Sequence, residues 1–222
     1  MSYIENIYVC LGAPLLVAAV CARGKSRNMM LFLLAGMTMC LLSSYISTFI
    51  AAANGMDMLT ASMESAPIIE EIMKFLPILF LLLVFEPDKI EIADSVMMTV
   101  VGFATFENAC YLTSNGAEQI FHLMVRGFGT GAMHVVCGFI IAIGLLFLWN
   151  RVWLRVAGTI GLLVVAMAFH SLYNLLVSQT GLPAQIGYLF PMLTVVFMLI
   201  FGRNFITQIA APETLAGDEE KK

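Results

Sequence analysis

The chain has 222 residues, of which 60% are hydrophobic and only 12% charged, with a mean hydropathy of +0.92. A soluble domain is roughly 45–50% apolar and about 25% charged, so composition excludes an ordinary soluble fold and indicates a polytopic membrane protein. A net charge of −4 and a pI near 5.3 leave no basic surface, which argues against nucleic acid and leaves the lipid bilayer as the chain's medium.

A membrane-spanning helix needs about 20 apolar residues. Seven runs approach that length, at 4–22, 29–53, 66–85, 92–113, 121–149, 157–178 and 185–206. The first is expected to be a retained span rather than a secretory signal, because nothing basic precedes it while Arg23, Lys25 and Arg27 follow it. Short connections with turn formers or charges, such as "NGMD", "EPDKIE", "SNGAE" and "GLPAQ", separate the runs. The expected fold is therefore an all-α membrane bundle of about seven transmembrane helices, with one helical domain over 1–206 and a polar tail over 207–222. The five cysteines (Cys10, Cys21, Cys40, Cys110, Cys137) form no C-x-x-C pair and read as packing residues.

The Lys and Arg residues orient this bundle by the positive-inside rule. Arg23, Lys25 and Arg27 lie in the first connection, Lys89 in the third, Arg151 and Arg155 in the fifth, and Arg203, Lys221 and Lys222 at or beyond the last run. The second, fourth and sixth connections have none. The N-terminus is thus expected outside and the C-terminus in the cytoplasm.

Polar residues inside the runs carry the chemistry, since each charge at a bilayer centre costs roughly 2.5–3.5 kcal/mol on insertion scales. The third run contains "PIIEEIMKF", which puts Glu70, Glu71 and Lys74 on an arc of about 100°. Pro67 and Pro77 fall on the same side and remove backbone donors there. The fourth carries Phe103, Glu107 and Tyr111 on one face, with Asn108 beside them. The fifth carries Arg126 and His134, the latter on a stripe with Gly127, Gly131 and Gly138 that is expected to admit a neighbouring helix. The sixth carries His170 and Asn174 at i, i+4. With the expected topology, these groups share one level in the outer half of the bilayer.

Carboxylates and histidines at one depth suit two chemistries. In hydrolysis, Glu70 or Glu71 acts as general base, His134, His170 and Glu107 bind Zn²⁺ or polarise water, and Asn174 donates to the oxyanion. Lys74 pairs with a glutamate, and Arg126 meets substrate or Glu107. In proton- or ion-coupled transport the same groups form a relay, although no repeated halves are visible. A scaffold that binds a partner helix through the glycine stripe is a third reading, and it leaves the carboxylates and histidines unexplained. Among intramembrane protease signatures, H-E-x-x-H, G-x-S-x-G and G-x-G-D are all absent from the sequence.

The ordered set "EEIMK", "FATFENACY", His134 and "HSLYN", spread over four runs, resembles the PrsW family of intramembrane proteases. That family lies within the clan of CAAX prenyl endopeptidases and bacteriocin-processing membrane proteases. The resemblance implies a polytopic α-helical protease making the first, extracytoplasmic-side cut in a single-span, membrane-anchored anti-sigma factor. Glu70, Glu71 and Lys74 match the first motif, Phe103 and Glu107 the second, and His134, His170 and Asn174 the later ones. Where CAAX-type members have F-x-x-x-H, this chain has Phe103 followed by Glu107. The resemblance leaves both a metal-dependent and a glutamate-dependent, metal-free mechanism open.

Overall fold

The computed structural model describes residues 4–115, 120–148 and 152–210. Its elements, in order, are α1 (Ile4–Cys21), α2 (Gly24–Asn54), α3 (Met58–Thr60), a π-helical turn (Ala61–Ser65), α4 (Ala66–Val84), α5 (Lys89–Asn115), α6 (Ile120–Leu148), α7 (Val152–Val177) and α8 (Leu182–Ala210). Each predicted run lies on one of the seven long helices. Arg151, Lys221 and Lys222, part of the "SNGAE" connection, and residues 211–222 of the predicted tail lie outside the described residues. Residues 207–210 continue α8.

Five helices, α1, α2, α6, α7 and α8, are long and apolar enough to cross a membrane. The two that fall short are α4, which holds Glu70, Glu71 and Lys74, and α5, which holds Glu91, Asp94 and Glu107. Each buries one face against the others. In α4, nine of the 19 residues are buried, whereas α1 buries only Gly12 and Ala19. Charged faces turned inward and apolar faces turned outward is the arrangement a hydrocarbon solvent selects. Outward-facing Val17, Phe49, Phe80, Val164 and Leu193 are exposed to that solvent, and the chain is a multi-pass membrane protein.

The main core is the seam of α4, α5, α6 and α7, where Phe75, Ile78, Val96, Met133, Ile141 and Ala166 pack together. A second cluster joins Met37 and Cys40 of α2 to Phe103 and Phe106 of α5. α2 and α5 approach closely because each offers a glycine. A Cβ on Gly36 would collide with the carbonyl of Thr99, and one on Gly102 with the carbonyl of Leu33. The predicted stripe on α6 behaves differently. Gly138 packs on Val100, but a Cβ on Gly127 or Gly131 would meet nothing within 4 Å, so half of the stripe faces open space rather than a helix. At one end of the bundle the first and third connections come together. There Lys25 pairs with Asp94 at 2.6 Å, and Asn28 donates to Glu91 at 3.4 Å.

The segment leading into α4 departs from a simple loop. α2 ends at Gly55 in the left-handed conformation, which lets Met56 N–H reach the Ala51 carbonyl at 2.9 Å. Asp57 then caps α3, accepting from Thr60 N–H at 2.8 Å. In the π turn the Ala66 N–H bonds to the Ala61 carbonyl, one residue further back than in an α-helix. In that register the Ser62 carbonyl should bond residue 67, which is a proline with no N–H. The side chain of Asn174 on α7 supplies the missing donor at 2.8 Å.

Two substitutions test the packing. Gly36→Ala puts a methyl against backbone that cannot yield, and should cost about 2 kcal/mol, roughly 4–8 °C in the thermal midpoint in detergent. Gly127→Ala, in open space, should leave the midpoint unchanged or raise it slightly. Equal midpoints for the two variants would refute the close contact.

Candidate active site

The site is built from charges that no single helix could bury. Lys74 and Glu71 lie three residues apart on α4, which places both on its inward face. The Lys74 Nζ donates to Glu71 Oε1 at 2.6 Å and to His134 Nδ1 at 2.8 Å. The two side chains are only 4% and 2% exposed. The ammonium also lies 4.4 Å from the centre of the Phe103 ring. Neither charge could stay in this position without the other, because breaking a buried pair costs about 3–5 kcal/mol.

From this pair the hydrogen bonds extend to both histidines. His170 Nδ1 donates to Glu71 Oε1 at 2.8 Å, which leaves the Nε2 lone pair free. His134 accepts from Lys74 at Nδ1, so Nε2 carries the proton and donates it to Glu107 Oε2 at 2.5 Å. The two imidazoles meet edge to face with centroids 5.2 Å apart. Glu107 is held from its other side by Arg126 at 3.4 Å, and Arg126 donates to Asn108 at 2.8 Å while covering the Tyr111 ring.

Glu70 stands apart from its neighbour in sequence. Its Oε2 is buried with no hydrogen-bond partner and lies 3.7 Å from His170 Nε2. Adjacent residues on a helix point about 100° apart. Glu71 therefore turns into the ion-pair network while Glu70 faces the space between the histidines and α2.

Glu70, His134 and His170 each offer one ligand atom within 4.8 Å of the other two. The sequence reading put Glu107 in that trio. Here Glu70 occupies the place, and Glu107 is drawn towards His134 and Arg126. The donor set fits a divalent cation. Glu70 Oε2 is an orphaned buried oxygen, and His170 Nε2 is free because Glu71 fixes its tautomer, as carboxylates do behind metal-bound histidines. His134 Nε2 carries the proton it donates to Glu107, so His134 would join by giving up that proton, which binding would release.

The remaining predicted residues divide between network and scaffold. Lys74, Glu107, Asn108 and Arg126 all belong to the hydrogen-bonded network, whereas the Asn174 amide is occupied by the Ser62 carbonyl. Sequence reasoning passed over α2, whose Ser43 and Ser47 border the same space. Hydroxyl residues at i, i+4 in an apolar helix were the available signal.

A carboxylate and two histidines inside a bundle of membrane helices define a candidate intramembrane hydrolase centre. The model of the PrsW family intramembrane metalloproteases matches residues 24–201, and the chain belongs to that family. No curated protein and no solved structure matches the chain. Membership supports intramembrane peptidase function and favours hydrolysis over the transport reading.

The ion pair makes a stability prediction. Glu71→Gln should lower stability by about 3–5 kcal/mol by stranding the Lys74 charge. The double variant Glu71→Gln, Lys74→Met should recover more than half of that loss in thermal unfolding. A double variant no more stable than the single one would show that the pair does not set the cost.

Proposed function

We propose that this protein is a glutamate-dependent zinc endopeptidase of the membrane. It would cut single-span, anti-sigma-factor-like substrates on the extracytoplasmic side, as the first step of regulated proteolysis. The observation that carries the reading is the unpartnered Glu70 Oε2 facing two histidines within a family of intramembrane metalloproteases. The proposed topology has seven spans, including polar α4 and α5, with the N-terminus outside and the C-terminus in the cytoplasm of a cell membrane. At 19 residues and 1.5 Å per residue, α4 is about 29 Å long, enough for the hydrocarbon core.

Zinc held by Glu70, His134 and His170 would acidify a bound water and polarise the scissile carbonyl. The chain's own residues prepare that site. Glu71 holds His170 in the tautomer that keeps Nε2 available, and Lys74 holds Glu71 in place. Glu107 accepts the His134 proton, and Arg126 offsets the negative charge of Glu107. With Oε2 given to the metal, Glu70 would use its other carboxylate oxygen to orient the attacking water and receive its proton. Glu71 and Lys74, at 2% and 4% exposed, act on each other through a low dielectric, while Glu70 and Glu107 border the open cavity from which water can reach the site.

Purified Glu70→Gln and His170→Ala proteins should cleave a single-span reporter at least about 100-fold more slowly than wild type, the lower end for loss of a positioned acid–base group. Chelation should abolish cleavage and added zinc restore it, with zinc measured near one ion per chain. Wild-type rates in both variants would refute the mechanism. Full activity after complete metal removal would refute the zinc assignment alone.

A further inference from the structure

Beside the catalytic carboxylates lies a cavity of about 480 Å³ with no role in the chemistry above. It is bounded by α2, the start of α1, the π turn and α5, and both Glu70 and Glu107 line it. The space exists because its walls are made of small side chains. On α2 these are Ser43, Ser47 and Ala51, spaced four residues apart, and Ala61 and Ala66 face them from the π turn and the start of α4. Met58, at the outer edge of this wall, is 87% exposed.

The hydroxyls on this face are not equivalent. Ser43 donates to the Cys40 carbonyl at 2.9 Å, Ser44 to Leu41 at 2.8 Å and Thr48 to Ser44 at 2.7 Å, each within its own helix. The Ser47 Oγ is buried and has no partner. An unsatisfied buried hydroxyl costs about 1–3 kcal/mol. A ligand carrying a backbone amide or carbonyl would remove that cost.

The size of the cavity restricts the form of the ligand. A helix with its side chains is about 10–12 Å across, so this volume holds roughly one turn, and a helical carbonyl is already bonded within its own segment. An extended segment instead presents free carbonyls and alternates its side chains between two sides. One of those sides would rest on the small-residue face of α2.

We propose that this cavity seats the substrate next to the scissile bond. Its occupant is an extended segment of a membrane-anchored protein with Gly, Ala or Ser facing α2, and Ser47 is a specificity-determining residue that hydrogen-bonds the substrate backbone. The inference rests on the protease reading and names the substrate class for that site.

The test uses the purified full chain and a set of single-span reporters that differ only in the residue beside the cleaved bond (Gly, Ala, Leu or Phe), with cleavage positions mapped by mass spectrometry. Wild type should prefer Gly and Ala over Phe by about tenfold or more in kcat/KM. Ser47→Leu should lower kcat/KM about tenfold for the Ala reporter and much less for Gly, at an unchanged thermal midpoint. Ser47→Ala should raise KM for every reporter without altering the size order, and Ser47→Thr should restore it. Cleavage by wild type with no size preference, or a Ser47→Leu profile identical to wild type, would overturn this inference alone. A uniform loss accompanied by a lower midpoint would assign Ser47 a structural role and also overturn it. Failure of wild type to cleave any reporter would overturn the protease reading together with it.

Discussion

The buried contact between Lys74 and Glu71 is the constraint on which the site depends. An ammonium placed inside a membrane bundle must be neutralised and hydrogen-bonded within a few ångströms, and three groups around Nζ share that task. Glu71 gives the countercharge, His134 an acceptor and the Phe103 ring a polarisable face. Because Lys74 donates to His134, the ring's tautomer is set; because Glu71 answers Lys74, it is a fixed acceptor for His170. One ion pair thus orients both imidazoles. Glu71 Oε1 takes both Lys74 and His170, whereas the buried Glu70 Oε2 has no hydrogen-bond partner. The division of labour between two adjacent glutamates follows from which of them faces the lysine.

This arrangement explains why the helices that carry the buried carboxylates turn those faces into the bundle. α4 and α5 cannot present Glu71, Lys74 or Glu107 to lipid, whereas the exposed faces of the other helices carry apolar side chains such as Val17, Phe49 and Leu193. The close approach of α2 to α5 through Gly36 and Gly102 fixes the backbone that carries Phe103 and Glu107. The stiff part of the molecule therefore lies directly behind the polar network. A position error of about 1 Å there would separate His134 from its two partners.

Much of this was legible in the chain. Run lengths located seven helices, because hydrocarbon thickness leaves little freedom in the length of an apolar segment. The polar residues of four runs were also recognisable as one group, since charges inside apolar stretches need each other. Three features were not legible. Whether Glu70 or Glu107 joins the histidines depends on where Arg126 reaches, which is a tertiary matter. Gly127, Gly131 and Gly138 shared a face in sequence, yet of these three only Gly138 meets a neighbour, because a helical period gives a direction without saying what stands there. The stretch from Met58 to Ser65 read as connection because it mixes polar and apolar residues, and its π turn is set by Pro67 acting on residues that precede it.

That turn has a mechanical meaning. A helix interior is stitched by one backbone bond per residue, and the junction before α4 lacks the bond at Ser62 and borrows a side chain from α7 in its place. A single neutral hydrogen bond of this kind contributes about 1 kcal/mol, far less than shifting a packed helix. Asn174 thereby pins the wall of the chamber facing α2 to α7, beside a second contact from Ser178 to Met63. The residue that pins it, Asn174, stands one helical turn from His170. The segment that borders the chamber and the histidine beside Glu70 therefore hang on one helix, four residues apart.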